Sequence, residues 1–519
     1  MTVPDVSFKI RDPEQVRAAV AALSPGFHAE KRGRRSSRRT YHDTFDWRVV
    51  RNGGALFSVE EAEGWLVLWC GPGGARRHSL RVTALPAFAR DLPPGAFRDE
   101  LARVIGLRRL FPIVRVEATR SILAVLDARR KTVARLSLER GRATTGEGRT
   151  SRALGERLRV VPVPGYADEH RAVLECVGRT PGLARAEGGE LLDALAAVKL
   201  EPGRHSSKLD VPLEPAEPAQ TAVRRLLRAL LAVLTANEEG TRLALDPEFL
   251  HDFRVAVRRT RSCLGQLDRV FAPPAVEGFR QEFAWLGGLT GPARDLDVLL
   301  AGMDDYRAEL PPSLAAGLEL FESELRLRQC RAQRRLGQGL ASRRYRDLMR
   351  KWSRFVDAPP ACGEAGLGPD ARRPIREVAA SCIRRRFRRI SKHGRNLGSD
   401  TPPPTFHVVR IDCKKLRYLL EFFRHAFDSQ RVAALVAELK SLQDQLGDFN
   451  DMEVQQHEVL GIAERLARRP TLRPEALIAA GSLVGILHRR QSELRPKLLG
   501  RLGRFAGAKT AAAIDEFGR

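Results

Sequence analysis

The chain has 519 residues, and 89 Lys and Arg against 63 Asp and Glu give it a formal net charge of +26. This length exceeds what one hydrophobic core usually supports, so we expect two or three domains. With 43% hydrophobic and 29% charged residues, the composition is globular and excludes a disordered chain. The excess of positive charge indicates a polyanionic partner, which could be nucleic acid, an anionic membrane or a phosphate polymer.

The first part of the chain, residues 1–211, predicts an α+β domain with an antiparallel sheet. Short β-type runs alternate with Gly/Pro turns, and helical patterns lie near both ends. The predicted strands include 64–69, 113–127, 133–140 and 170–178, and the predicted helices lie near 13–23 and 188–198.

A Pro-rich linker is predicted at residues 212–218, because closely spaced prolines disfavour helix and weaken strand pairing. Beyond it, β signals nearly vanish and long segments with a 3.6-residue apolar period take over. Residues 219–519 therefore predict an all-α domain.

The helical domain contains an internal repeat. The segment from His251 to Arg261 matches the segment from His407 to Arg417 at an offset of 156 residues, and a second motif at 294–298 matches 450–454 at the same offset. Two separate motifs in one register indicate a duplicated unit. We predict an all-α domain of two pseudo-symmetric four-helix half-bundles, at 219–357 and 370–507.

Each repeat places a basic row beside an apolar stripe. At roughly 100° per residue, Phe253 and Val257 lie on one buried face, as do Val409 and Cys413. Aligning like charges beside a packing seam is costly unless an anion lies along them, and a phosphate chain fits because Arg can bind two oxygens at once. The candidate contacts are His251, Arg254, Arg258, Arg259, Arg261, His407, Arg410, Lys414, Lys415 and Arg417.

Alternatives exist for each of these features. Repeat ancestry alone would also produce matching rows, and both histidines could simply cap or pack. Other basic helix faces supply further candidate phosphate contacts, for which a solvated surface is the alternative: Arg385, Arg389, Lys392 and Arg335. We expect the nearby acids to orient arginines by ion pairing rather than to bind a metal: Asp295, Asp297, Asp451 and Glu453. We predict no metal site and no cofactor.

The cysteines and the N-terminus bear on the compartment. No Cys-x-x-Cys pair occurs, so reduced thiols are expected at Cys70, Cys176, Cys263, Cys330, Cys362, Cys382 and Cys413. The N-terminal stretch lacks a secretory pattern, and no segment approaches the ~18 apolar residues of a membrane span. We expect a cytoplasmic protein without a membrane partner.

With these motifs, the helical half resembles the CHAD domain, the conserved histidine α-helical domain. The resemblance spans roughly residues 215–519 and rests on both His-x-x-Arg helices and both acidic motifs. It implies binding of inorganic polyphosphate along a central groove by the ten basic residues of the two rows. It also suggests association with polyphosphate granules.

Residues 1 to about 210 resemble a CYTH domain, the triphosphate-tunnel fold, and this implies an antiparallel β tunnel-like barrel. The likeness rests on the Tyr-His-Asp-Thr run at 41–44, the Gly-Gly-Ala-Leu run at 53–56 and the Ser-Lys pair at 207–208.

The catalytic pattern of that family is depleted here. Its Glu-x-Glu-x-Lys start is reduced to Asp5 and Lys9, its later paired carboxylates to Glu175, Phe-Ser-Val at 57–59 replaces an Arg-x-Arg, and Trp69 stands where a Lys is expected. Metal-assisted phosphoryl chemistry loses its usual groups, so we expect a catalytically impaired tunnel. The remaining candidate phosphate contacts are Arg115, Arg120 and Lys208.

The sequence thus predicts a non-catalytic polyphosphate-binding protein. One alternative is a metal-dependent triphosphate hydrolase of the CYTH class, with the CHAD domain gathering substrate; the missing carboxylates argue against it. A second is non-specific nucleic-acid binding, because a basic groove holds many polyanions at low salt. An aromatic content of 6% offers few side chains for base stacking.

Overall fold

The computed structural model describes residues 6–24, 26–71, 76–186, 189–203, 209–358, 366–468 and 474–518. The chain divides into two compact units, Met1–Ser206 and Ser207–Arg519. The first is built on an antiparallel sheet, whereas the regular elements described in the second are all helices. The predicted order of an α+β domain followed by an all-α domain is confirmed.

In the first unit, the described residues form one sheet of ten strands: β1 (Val6–Ile10), β2 (His28–Thr44), β3 (Ala55–Glu61), β4 (Gly64–Cys70), β5 (Arg76–Val82), β6 (Leu110–Leu126), β7 (Thr132–Thr145), β8 (Ser151–Ala153), β9 (Glu156–Pro162) and β10 (Ala184–Arg185). Their order is β10-β1-β9-β7-β6-β2-β3-β4-β5, with β8 on β7. The predicted barrel is not closed: within the described residues, the edge strands β10 and β5 pair with β1 and β4 and not with each other.

The α-helices that accompany the sheet are α1 (Pro13–Ala21), α2 (Arg48–Arg51), α3 (Ala96–Ile105), α4 (Ala167–Gly178) and α5 (Glu190–Ala197). The prediction of a strand at 170–178 was wrong, because this segment belongs to α4. Its buried side chains, His170, Val173 and Val177, recur every three or four residues, which is the helical period. Glu175 is therefore an exposed residue of a helix and not part of the sheet.

The Tyr-His-Asp-Thr run has a local structural role. The carboxylate of Asp43 accepts hydrogen bonds from the backbone N–H groups of Thr44, Val49 and Val50, at 2.7, 2.9 and 3.0 Å. It thereby satisfies donors at the start of α2 that the helix itself leaves unpaired. Gly54 is required for packing, because a Cβ there would lie 3.1 Å from the Cys70 carbonyl oxygen.

The second unit contains these helices: α6 (Ala219–Arg242), α7 (Pro247–Gln266), α8 (Pro273–Ala301), α9 (Met303–Glu309), α10 (Ala315–Leu340), α11 (Arg343–Asp357), α12 (Ile375–Arg395), α13 (Pro403–Phe422), α14 (Ser429–Ala467), α15 (Pro474–Phe505) and α16 (Ala508–Asp515). Helices α12, α13 and α14 each begin 156 residues after α6, α7 and α8. A fourth long helix follows in each half, α10 and α15. The two predicted four-helix halves are confirmed, and one hydrophobic core spans both.

Equivalent residues of the two halves meet directly at the starts of α6 and α12. Pro218 forms an antiparallel bridge with its own counterpart, Pro374. Ala219 N–H donates to the Arg373 carbonyl at 2.9 Å, and Ile375 N–H donates to the Glu217 carbonyl at 2.9 Å. A residue that contacts its own equivalent marks a two-fold relation. A pseudo-two-fold axis therefore passes between these segments.

Candidate anion-binding groove

Helices α7 and α13 carry the two predicted basic rows and pack against each other. Their predicted apolar stripes are buried, as Phe253, Val257, Val409 and Cys413 illustrate. The Gln266 side-chain amide of α7 also donates to the Lys415 carbonyl oxygen of α13, at 3.1 Å. Because the apolar stripes are buried, the directions of the other faces of α7 and α13 are fixed. Both basic rows therefore lie beside the point where the two helices cross.

Each row contains an ion pair, and the two ion pairs lie at equivalent positions of the repeat. A guanidinium nitrogen of Arg254 lies 3.6 Å from Asp295 of α8, and one of Arg410 lies 3.2 Å from Asp451 of α14. Arg254 corresponds to Arg410 and Asp295 to Asp451 in the repeat. The arginine side chains are 20% and 16% exposed, and burial lowers the pKa of both. Asp295 and Asp451 thus contact the arginines that they were predicted to orient.

The centre of the site holds two unpaired cations. Arg258 and Lys414 are repeat equivalents, and within the described residues neither forms a hydrogen bond or an ion pair; Nε of Arg258 is buried without an acceptor. Burial, together with the neighbouring charges of Arg410, Arg258 and Arg417, lowers the pKa of Lys414 to about 7, and Asp451 opposes the shift. This position is costly for a positive charge.

Equivalent groups face each other across the groove, as they do at the Pro218–Pro374 bridge. Arg258 of α7 acts on the charges of Arg410 and Lys414 of α13. Burial raises the pKa of Asp295, and Asp451 from the other half adds to the rise while Arg254 opposes it. Charged groups of the two rows therefore act on one another where α7 and α13 pack together.

Two glycines of α8, whose role the sequence reasoning missed, allow arginines of the α7 row to lie directly against the backbone of α8. A Cβ at Gly287 would lie 2.7 Å from Nη1 of Arg261, and one at Gly291 would lie 3.0 Å from Nη1 of Arg254. These guanidinium groups lie against bare main chain, where a larger side chain would displace them. The Gly-x-x-x-Gly spacing was the available sequence signal.

One end of the groove contains a carboxylate that the sequence reading also missed. Nη2 of Arg259 lies 2.7 Å from Glu421 of α13, and Nε of Arg417 lies 3.5 Å from the same carboxylate. Both guanidinium groups stand over the ring of Tyr418, at 5.7 and 5.8 Å from its centroid. Arg259 and Arg417 therefore have an internal anionic partner, unlike Arg258.

Lys415 is directed toward α12 rather than toward Lys414. Burial and the charges of Arg386, Arg389 and Arg261 lower its pKa, while Asp412 opposes the shift. Asp412 is 2% exposed and binds Arg386 at 2.6 Å. Lys415 is consequently close to a second cluster, in which Arg386 and Arg389 share the carboxylate of Asp412.

The remaining row residues and acids divide between the halves. His407 shares a hydrogen bond through Nδ1 with the Asn450 side-chain oxygen, and His251 lies at the equivalent place on α7. Asp297 and Glu453 differ from the prediction, because they accept hydrogen bonds from glutamine amides of α10 and α15, each at 2.9 Å. They link neighbouring helices of their own half.

The additional candidate contacts are mixed. Arg385 donates to the Gln266 carbonyl at 3.0 Å, and Nε of Arg389 lies 3.5 Å from the buried Asp412. Lys392 and Arg335 are exposed and have no polar partner in the part of the chain that the structure describes. Within the described residues, none of these four side chains contacts Arg258 or Lys414.

The first unit has its own buried ionic network. On one face of its sheet, Arg120 lies 2.7 Å from Glu139, and Arg159 lies 3.6 Å from the same carboxylate. Helix α5 adds carboxylates that pair with two further arginines, Arg39 with Glu190 and Arg157 with Asp193. Sequence reasoning had named Arg120 but missed Arg39, Arg157 and Arg159. The arginines of this face are thus held largely by internal carboxylates.

The other predicted residues of the first unit do not join this network. Arg115 and Lys9 are exposed, and Trp69 is buried with its indole N–H 3.2 Å from Glu100. Asp5 and Lys208 lie outside the described residues. Among the residues that are described, no group of three His, Cys, Asp or Glu side chains is arranged to bind a metal ion. No helix in this part of the chain combines the length and apolar character that crossing a bilayer needs.

The family match concerns the helical unit. The family model described as CHAD domain matches residues 225–460. The solved structures that are similar include the CHAD domain from the plant Ricinus communis, with 25% identity, a TM-score of 0.47 and coverage of 57% of this chain and 95% of that one. PptA from Streptomyces chartreusis has 19% identity, a TM-score of 0.43 and coverage of 56% and 99%. A search of curated proteins finds no match.

A further similar structure covers a smaller share of this chain. HpAC1 from Hippeastrum, described as a candidate adenylyl cyclase with a dominant triphosphatase activity, has 12% identity, a TM-score of 0.26 and coverage of 39% of this chain and 99% of that one. The family match over residues 225–460 confirms the resemblance that the duplicated His-x-x-Arg helices had indicated. The helical unit is therefore similar to the CHAD domain over residues 225–460.

Proposed function

We propose that the helical unit binds inorganic polyphosphate in the groove between α7 and α13 and does not cleave it. The observation that carries this proposal is that the repeat-equivalent cations Arg258 and Lys414 are partly buried and close enough for their charges to interact, with no ion pair to either in the described residues. Holding two like charges in a partly desolvated place costs free energy. A bound polyanion offsets that cost.

The shape of the charge distribution favours a linear anion over a single phosphate. Each row runs along one helix face, and the ten residues between His407 and Arg417 span about 15 Å at the helical rise per residue. Guanidinium groups from both halves offer bidentate donors along that length. Single-stranded nucleic acid would gain additional affinity from base stacking, and Tyr418, an aromatic residue beside the row, lies beneath Arg259 and Arg417.

A titration of the full chain tests the proposal. Polyphosphate, single-stranded DNA and RNA are compared at matched ionic strength near physiological salt, and the same mixtures are analysed for released phosphate with and without Mg²⁺. We expect the tightest binding to polyphosphate, a steep loss of affinity with added salt, and recovery of the polymer intact. Equal affinity for DNA would contradict the ligand assignment, and release of phosphate would contradict the non-catalytic part.

A further inference from the structure

The basic row on α13 ends in a carboxylate. Its members His407, Arg410, Lys414 and Arg417 are spaced by three or four residues, and the next position on that face is Glu421. On α7 the equivalent position is Gly265, which is exposed and has no atom within 4 Å of where a Cβ would be. The two rows therefore match along their length and differ at this end.

Glu421 lies where an anion would otherwise bind. Its carboxylate is 24% exposed and accepts a hydrogen bond of 2.7 Å from Arg259 of α7, while Nε of Arg417 lies 3.5 Å away. The two arginine side chains are 14% and 23% exposed, so the cluster is only partly solvated. Two of the ten cations assigned to the groove thus already share an internal anion.

We propose that Glu421 ends the phosphate track on the α13 side and so sets the length of polyphosphate that the groove holds. This inference depends on the proposed function. A chain that extends past Arg417 meets a fixed negative charge and two arginines that are already engaged, so additional phosphates gain little there. On the α7 side, the equivalent residue is Gly265, which carries no negative charge to repel the polyphosphate.

The test is a chain-length series with the Glu421→Gln variant of the full chain. Gln keeps the shape and one acceptor oxygen but removes the charge. Affinity is measured for polyphosphate fractions of increasing defined length. For wild type, affinity should stop rising with length earlier than for the variant. The variant should bind the longest fractions about tenfold more tightly, which corresponds to about one additional charge-assisted contact, and should depend more steeply on salt.

Two further variants make the test specific. Glu282→Gln removes the same charge from a carboxylate that pairs with Arg344 of α11 at 2.8 Å, and it should leave the length profile unchanged. Gly265→Glu introduces the carboxylate at the equivalent place on α7, where there is room for a side chain, and should make affinity level off at shorter chains. This variant remains informative if Glu421→Gln is unstable.

The outcomes separate the two proposals. If wild-type protein does not bind polyphosphate, the proposed function fails and this inference fails with it. If wild type binds and neither Glu421→Gln nor Gly265→Glu moves the length at which affinity levels off, Glu421 serves only to neutralise two arginines and the inference alone is wrong.

Discussion

Replacing Arg258 and Lys414 together by methionine should abolish most polyphosphate binding without harming the fold. Methionine keeps an unbranched apolar stem and removes the charge. The two groups are repeat equivalents whose charges act on each other, and they have no ion pair within the described residues, so no ion-paired carboxylate loses a partner. This distinguishes them from Arg254 and Arg410, whose loss would leave Asp295 and Asp451 unpaired.

The size of the effect follows from the contacts that are lost. A hydrogen bond involving a charged group contributes about 1.5–3 kcal/mol. Two such contacts amount to about 3–6 kcal/mol, or a loss of affinity of roughly 10² to 10⁴-fold. The slope of log affinity against log salt concentration should become shallower by about 1–2, because fewer phosphates are neutralised. The melting temperature should be unchanged or higher, because repulsion from Arg410 and Arg417 is relieved.

Binding is measured by titration at pH 6.5, where Lys414 is mostly charged, and stability by thermal unfolding followed by circular dichroism. The matched control is Arg346→Met with Lys351→Met, two exposed cations of α11 whose removal changes the net charge equally. Unchanged affinity in the Arg258 and Lys414 double variant would refute the groove assignment. A lower melting temperature accompanying the loss of binding would mean that the two cations have a structural role.

Three further outcomes are expected. The pKa of Lys414 is about 7 in the free protein, and bound phosphate favours its ammonium form, so affinity should fall as pH rises through about 7. Titrations at several pH values would measure this profile, and Lys414→Arg should flatten it. Glu139→Gln should destabilise the first unit by about 1.5–3 kcal/mol in urea unfolding, because Arg120 loses its carboxylate partner at 2.7 Å and keeps the more distant Glu190 at 4.0 Å; a loss under 1 kcal/mol would contradict this. Asp412→Asn should cost the helical unit more, about 3–5 kcal/mol, because Arg386 loses a buried partner, and calorimetry would measure it.

The repeat made the helical half predictable. The two repeat motifs share one sequence offset, and this located both basic rows. Buried apolar residues such as Phe253 and Val409 recur with the helical period, and their spacing determined which helix face each row occupies. The sheet was harder to predict, because closure depends on whether β10 and β5 pair, and that contact between distant segments leaves no local pattern. The prediction of a strand at 170–178 was wrong because it considered the apolar residues of the segment but not their spacing, which is helical.

The groove itself was only partly visible in the sequence. Arg258 and Lys414 could be placed on matching faces, but which cations keep an internal partner depends on helices far apart in the chain. Glu421 follows the spacing of the α13 row and could have been noticed as its last member. Asp297 and Glu453 lie two residues after Asp295 and Asp451, about 200° further round their helices, so the helical period could have separated them from the acids that face the arginines. Their glutamine partners on α10 and α15 could not be identified from the sequence.

The bridge between Pro218 and Pro374 shows how the helical unit gains from being one polypeptide. Two identical subunits arranged in this way would be obliged to carry the same residue on both sides of the axis. Covalent fusion removes that obligation, so Lys414 can stand opposite Arg258, and a glutamate at 421 can correspond to a glycine at 265. A dimer with an exact two-fold axis across its groove has no way to make one end of that groove differ from the other.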